Sequence, residues 1–381
     1  MRYTRSRVLP IMVLAALAAC GDGITGPGES HDIGGLAAAE TELSDEAAAV
    51  QLTVMTRNLF VGTDVDQLIG ITNPNLVPIV VAELWELLLA NQAETRMAAI
   101  AREIAAYRPH LVGLQEASTF RTQTPADFQL NAQDVVIDFV PTLLAELAAL
   151  GLNYRVVAEV RNMDVELPRL NPDFSLTDVR VTDYDVILAR ADVETANAIA
   201  LNYAASWFLQ PGVEIPRGVT AVDAVVGGQK FRFVNTHPEP VETSGGSIQA
   251  QQATELVDLL ASETAPTILL GDLNTEAGSG DTYQLLVAEG FIDTFDYRRT
   301  GTGGELTCCH SVDLSSDAVP LVKRIDHVLV RDFDDLWPRP GSPPIEVTVL
   351  GDMTNEKADG GLWPSDHAGI VARFVLPRPG R

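Results

Sequence analysis

Short apolar runs that stop at a polar side chain recur along this chain, and they restrict its fold more than any other feature. Leu52-Thr53-Val54-Met55-Thr56-Arg57-Asn58 alternates and ends in an amide. Leu111-Val112-Gly113-Leu114 delivers Gln115-Glu116, Lys230 to Thr236 leads into His237, and Thr267-Ile268-Leu269-Leu270-Gly271 leads into Asp272. Near the C-terminus, Ser365-Asp366-His367 stands before the run Gly369-Ile370-Val371-Ala372-Arg373-Phe374-Val375. Such runs predict half-buried or buried strands whose mouths carry polar groups.

Between them the period changes from two to about 3.6. Val77 to Ala90 and Thr95 to Tyr107 predict helices, the second with Met97, Ile100, Ile104 and Tyr107 on one face and Pro109 as its stop. Helices are also expected over roughly Val135 to Leu150, with Pro141 as a start or kink, and over Ile248 to Ser262. Further strands are expected over Tyr154 to Val160, Asp185 to Ala189, Arg324 to Val330 and Ile345 to Leu350. Gly218 to Val226 forms a hairpin with the run after Gly227-Gly228. Arg161 to Thr182, with Pro168, Pro172 and several acids, reads as a long surface loop. Strands interrupted by amphipathic helices, with hairpins in place of strict alternation, predict a mixed α/β layered sandwich. A hydrophobic content of 46% supplies enough apolar surface for one large domain over 51–381.

The N-terminus reads differently. Arg2, Arg5 and Arg7 precede the apolar stretch Leu9 to Leu17, so 1–19 reads as an export signal too short to span a bilayer. Leu17-Ala18-Ala19-Cys20 resembles the lipobox of bacterial lipoproteins, which implies a lipid anchor on Cys20 and a location at the bacterial cell envelope. The alternative is ordinary secretion with a free Cys20. The stretch 20–50 is rich in Gly, Ala and acids, has no Lys or Arg and shows no apolar period, so it reads as a flexible acidic tether.

Without the three signal arginines, 23 basic residues face 52 acidic ones, a net charge of −29. Affinity for a nucleic-acid backbone rests on Lys and Arg, so tight nucleic-acid binding is not expected. A phosphate substrate bridged by a cation remains compatible with this surface. Cys308 and Cys309 are adjacent, and the sequence leaves a strained vicinal disulfide and free thiols equally open. A monomer is expected.

Six clusters stand in a particular order: Thr56-Arg57-Asn58-Leu59, Leu114-Gln115-Glu116, Asn235-Thr236-His237, Gly271-Asp272-Leu273-Asn274, Arg324-Ile325-Asp326-His327 and Ser365-Asp366-His367. From about Leu52 to Val375 the chain thereby resembles the endonuclease/exonuclease/phosphatase superfamily. The resemblance implies a four-layered sandwich of two mixed β-sheets flanked by helices, of deoxyribonuclease type. It further implies Mg²⁺ or Mn²⁺ held by Glu116, with Asn58 and Asp366 completing the site. Asp272 would orient or deprotonate the attacking water, and Asn274 would contact phosphate or metal. His237 and His367 would donate to phosphate oxygens or the leaving group, with Asp326 holding His367. Arg217 would bind phosphate through its guanidinium fork. For His237 the carboxylate partner is left between Asp183 and Asp185, and His327 reads as structural.

These parts point to a metal-dependent phosphoester hydrolase, of nuclease-like phosphodiesterase type, acting by in-line attack of water. A phospholipid or sphingomyelin phosphodiesterase at the cell surface is the alternative, encouraged by the lipid anchor and by Trp207-Phe208-Leu209, although that run reads as core. A noncatalytic envelope-binding protein that has kept the fold is a third reading. A lipid enzyme should place aromatics at the site mouth, whereas a nuclease should place a cationic track there.

Overall fold

Alternation along the central strands sorts their side chains between a core shared by the two sheets and cores under the helices. A computed structural model describes residues 50–210, 213–240, 242–243, 246–300, 304–333 and 345–376. The expected signal over 1–19, Cys20 and the tether up to residue 49 lie outside the described residues. In chain order the strands are β1 (Val50–Asn58), β2 (Leu111–Gln115), β3 (Thr119–Gln123), β4 (Asp134–Asp138), β5 (Tyr154–Leu170), β6 (Leu176–Arg190), β7 (Glu194–Asn202), β8 (Trp207–Gln210), β9 (Val213–Ile215), β10 (Gly218–Val226), β11 (Gln229–Thr236), β12 (Glu242–Thr243), β13 (Gly246–Ser247), β14 (Thr267–Asp272), β15 (Ile292–Asp293), β16 (Arg298–Thr300), β17 (Asp326–Arg331), β18 (Ile345–Leu350) and β19 (Gly369–Leu376). The α-helices are α1 (Val77–Ala90), α2 (Ala93–Tyr107), α3 (Phe139–Ala149), α4 (Ile248–Leu260) and α5 (Asp281–Ala288).

Among the described residues a nine-stranded sheet runs β16-β18-β19-β1-β2-β6-β3-β4, with β5 on β6, and a six-stranded sheet runs β15-β17-β14-β11-β10-β7. Both are mixed. β1 pairs parallel to β2 and antiparallel to β19, while β14 pairs parallel to β11 and antiparallel to β17. Leu52 and Val54 of β1 join Phe231, Phe233, Ile268, Leu270, Val328 and Val330 in the core between the sheets. Met55 of β1 faces the other way and packs with Met97, Ile100 and Ile104 of α2. On the second sheet, Leu269 and Leu329 face outward onto Leu256 and Leu260 of α4 and Leu286 of α5. The order helix, sheet, sheet, helix is the expected four-layered sandwich.

Polar residues cross the seam between the sheets near the strand mouths. Gln115 Nε2 donates to Asn235 Oδ1 at 2.6 Å, and Asn235 Nδ2 donates to the Leu114 carbonyl at 3.1 Å. Gly113 makes room for them, since a Cβ there would lie 2.7 Å from Asn235 Oδ1.

Three expectations need correction. Arg161 to Thr182 is no loop but most of a long antiparallel hairpin, β5 paired with β6 from Tyr154↔Arg190 to Leu170↔Leu176. Pro168 is tolerated because β5 pairs with β6 alone and Pro needs no donated ladder bond on a free edge. The helix expected from Val135 begins at Phe139, after the strand β4, so Pro141 lies in its first turn and causes no kink. Finally, Trp207 and Phe208 are not core: they belong to the small β8–β9 hairpin, where Phe208 is 58% exposed.

Candidate active site

Five strand ends deliver the polar residues to one place. Asn58 closes β1, Glu116 follows β2, His237 follows β11, Asp272 closes β14, and Asp326 opens β17. Asp366 and His367 arrive on the segment before β19. Glu116 and Asn274 both have left-handed backbones, at φ 54° and 50°. Non-glycine residues hold that conformation at a cost of about 1–3 kcal/mol, so their surroundings must over-determine it. Gly271, with φ 145°, is required for a different reason: a Cβ there would lie 1.9 Å from the Thr236 carbonyl oxygen. Its bareness lets β14 and β11 end side by side, which sets Asp272 next to His237.

One carboxylate oxygen is the hub. Asp272 Oδ2 lies 3.1 Å from Asn58 Nδ2, 3.5 Å from His237 Nε2 and 3.6 Å from His367 Nε2. The other oxygen, Oδ1, accepts the Asn274 backbone N–H at 2.9 Å. Burial raises the Asp272 carboxyl to about 6, and the nearby His367 charge offsets part of that rise.

One of the two histidines is held charged and the other neutral. Burial works against charge on His367, but Asp326, Asp272 and Asp366 outweigh it and hold the imidazole well above its usual range. Its Nδ1 donates to Asp326 Oδ2 at 2.9 Å, which leaves Nε2–H facing Asp272. Burial, with the charges of Arg217 and His367, instead holds His237 well below its usual range. Arg217 Nη1 lies 3.2 Å from His237 Nδ1, and a guanidinium can only donate. His237 is therefore a neutral imidazole with its proton on Nε2, also aimed at Asp272.

Neither acid expected to hold His237 does so, because Arg217 occupies that side of the ring. Asp183 accepts from Ser118 Oγ at 2.9 Å and Asn162 Nδ2 at 3.3 Å. Burial beside Asp183 drives the Asp185 carboxyl well above the usual range. Arg217 is itself tied to Glu239, Nε to Oε2 at 2.9 Å.

Two of the expected metal ligands, Asn58 and Glu116, are hydrogen-bonded to each other. Glu116 accepts from Asn58 Nδ2 on Oε1 at 2.9 Å and from the Val61 N–H on Oε2 at 2.6 Å, keeping further lone pairs on both oxygens. The Asn58 amide oxygen accepts the Phe60 N–H at 2.8 Å, so it is the NH₂ that faces the carboxylates. Asn58 thus clamps Glu116 and Asp272 through its NH₂. Glu116, His237 and Asp272 can each place a ligand atom within 4.8 Å of the others. Burial, with the charge of Glu116 adding to it, raises Asp366 to about 7 against the opposing charge of His367. Glu116 and Asp272, with His237 beside them, supply two hard oxygens and one nitrogen in a set that fits a divalent cation. Asn274 turns its amide NH₂ to the Pro238 carbonyl at 3.0 Å, away from the hub.

Sequence reasoning missed two supporting residues. Fully buried Arg96 donates to the carbonyls of Asn91, Leu59, Phe60 and Pro364 at 2.6–3.2 Å, pinning the segments that follow Asn58 and precede Asp366. A basic residue four places before Ile100, on the apolar stripe of α2, was the available signal. Glu239 sits two residues past His237, close enough to share its surroundings. The segment Thr307 to His310 also has a structural part. Thr307 Oγ1 accepts the N–H of Ile325 and Asp326, and the Thr307 carbonyl accepts that of Ala368 at 2.7 Å. Cys308 and Cys309 are joined as a vicinal disulfide, and Cys309 Sγ lies 4.0 Å from His367 Nε2. His327 is structural as expected, its Nε2 donating to the Thr275 carbonyl at 2.9 Å.

Comparison with solved structures supports the architecture. An endonuclease/exonuclease/phosphatase from Bacteroides vulgatus superposes with a TM-score of 0.52 at 16% identity, covering 86% of this chain and 99% of that one. An endonuclease/exonuclease/phosphatase family protein from Bacteroides thetaiotaomicron gives 0.51 at 17% identity, over 86% and 98%. One from Leptotrichia buccalis gives 0.50 at 15% identity, over 85% and 99%. No curated protein matches the sequence significantly. A family model described as Endonuclease/Exonuclease/phosphatase family matches residues 88–367, and with most of its length so matched the chain belongs to that family.

Proposed function

We propose that this protein hydrolyses a phosphodiester with the help of Mg²⁺ or Mn²⁺, cleaving the P–O bond by in-line attack of water as nucleases do. The observation that carries the reading is the hub: one Asp272 oxygen faces two imidazole Nε2 atoms and an amide NH₂, drawn from both sheets. Family membership supports phosphoester hydrolysis, and the hub supplies its acid and base groups.

Asp272 takes the proton of the attacking water. A carboxyl raised to about 6 is ionised at neutral pH yet basic enough to accept that proton. His367, kept cationic by Asp326, donates from Nε2 to the oxygen that gains charge as the bond breaks. His237 offers a second Nε2–H to a non-bridging oxygen without adding charge. Arg217 holds His237 in that tautomer and supports phosphate binding. Glu116 and Asp366 would hold the divalent cation, which supplies Lewis-acid polarisation of the phosphoryl group.

The same reading places the enzyme at the bacterial envelope, anchored through Cys20, on the strength of the charged, apolar and small-residue segments of 1–20. Fractionation of cells expressing the full chain and its Cys20→Ser variant tests this, since loss of the cysteine should release the protein from membranes.

Purified protein with Mg²⁺ or Mn²⁺ should turn over phosphodiesters and lose that activity in His367→Ala. Failure on nucleic acids, phospholipids, sugar phosphates and generic diesters alike would leave the noncatalytic envelope protein as the reading.

A further inference from the structure

The hub sits at one end of a cavity of about 410 Å³ whose remaining walls are largely apolar. Leu84 and Trp85 of α1 form one wall. Phe120 of β3, Met163 and Val165 of β5 and Val181 of β6 form the facing one. The facing wall follows directly from strand geometry. Val181 pairs with both Val165 and Phe120, so the three form one row across adjacent strands. Met163 lies in the irregular stretch of β5 between Arg161 and Asp164 and lines the same cavity, and Asp183 lies two from Val181 on β6, so this wall runs from apolar to acidic towards the hub. Trp207 and Ile215, from the β8–β9 hairpin, line the cavity as well.

Its charge is as informative as its apolar character. Seven carboxylates line the cavity, and among the described lining residues the sole arginine or lysine is Arg217, already paired with Glu239. A polynucleotide strand needs a row of cations, one for each phosphate it lays down. This cavity has provision for one phosphate at the hub and, beyond it, for a group without charge. The volume falls in the range of small-ligand pockets, which are mostly apolar with a few convergent polar groups.

From the union of a single phosphate position with an apolar chamber, we infer that the substrate is a small phosphodiester bearing an alkyl or acyl substituent of several carbons. That substituent lies between α1 and the β5–β6 hairpin while the phosphorus sits at the hub. The inference rests on the hydrolytic reading above and adds the class of substrate. The reaction balances with water alone: a new P–O bond forms, the P–O bond to the leaving alcohol breaks, and that alcohol takes the proton.

The test is a series of p-nitrophenyl alkyl phosphates from methyl to hexyl, with a p-nitrophenyl nucleotide diester as the polar arm and a p-nitrophenyl phenyl diester as the aromatic arm. With Mn²⁺ present, kcat/KM should rise with chain length, by up to about three- to fourfold per methylene that the chamber buries. The nucleotide diester should fall below the hexyl ester. Val165→Asp should flatten the slope, and the near-isosteric Val165→Thr should reduce it in case the charge impairs folding. Binding of methyl- to hexylphosphonate, measured by calorimetry, reports on the chamber without turnover. Turnover with a flat alkyl series, or with the nucleotide or phenyl diester preferred over hexyl, overturns the inference and leaves the hydrolytic reading standing. Absent turnover with chain-dependent phosphonate binding overturns the hydrolytic reading and keeps the chamber. Absent turnover with flat binding overturns both.

Discussion

His367 Nδ1 lies 2.9 Å from Asp326 Oδ2, across the seam between the two sheets, and this contact fixes which imidazole nitrogen faces the hub. With both partners buried, the carboxylate also sets the charge on the ring. An amide at 326 would keep the shape and remove that charge. Asp326→Asn should therefore lower kcat by about 10²–10⁴-fold, with a much smaller effect on KM. It should also move the alkaline limb of the pH–rate profile to lower pH, because His367 then loses its proton sooner. A profile with an unmoved alkaline limb would detach His367 from the acid role.

The acid limb follows from the carboxyls. Burial raises Asp272 to about 6 and Asp366 to about 7, so the rate should climb as pH passes from about 5.5 to 7.5. Both carboxyls hold protons more tightly folded than unfolded, so their contribution to the metal-free fold is present at low pH and lost as pH rises through 6–7. A divalent cation binds the ionised forms and so competes with protons. The rise in Tm on replacing EDTA with Mn²⁺ should accordingly be larger at pH 8 than at pH 5.5. In Glu116→Gln that rise should shrink at both pH values.

Arg96 ties four carbonyls from three segments to one guanidinium. Arg96→Met keeps the apolar stem and strands those acceptors in the interior. A loss of about 3–5 kcal/mol in urea unfolding is expected, together with reduced activity, since the segments it pins carry Asn58 and Asp366.

At Gly271 the outcome is steric. Ala would bring a methyl onto the Thr236 carbonyl from a backbone conformation that side chains avoid. Gly271→Ala should cost about 2–4 kcal/mol by chemical denaturation and should displace Asp272 from His237, so that activity falls even where the protein remains folded.

The strand mouths were readable from sequence because alternation and a terminal polar residue are local signals. β1, β10, β14 and β18 stand within two residues of their expected bounds for that reason. The distal part of the β5–β6 hairpin, 161–182, was hidden by the acids and proline set among its apolar residues. Asp164 and Glu166 separate Met163, Val165 and Leu167, and with Pro168 they give the stretch a loop-like composition although every second residue is apolar. β3 and β7 went unpredicted, since Thr119–Gln123 and Glu194–Asn202 lack a continuous apolar run. At the site, residue types suited to the chemistry could be named, but which nitrogen meets which oxygen is a tertiary matter. The Arg217 contact that displaces Asp183 and Asp185 from His237 depends on how β10 and β11 end, and the turn of Asn58 depends on the Phe60 N–H. Neither has a sequence signature.

Asn58 and His367 come from the larger sheet or the segment entering it, whereas Asp272 and Asp326 belong to the smaller one. A ligand that fills the hub therefore touches both halves of the sandwich at once, and whatever affinity it has adds to the energy holding those halves face to face. Amide exchange at the strand mouths far from any ligand atom should slow on saturation, which makes the whole sandwich a reporter of occupancy at its edge.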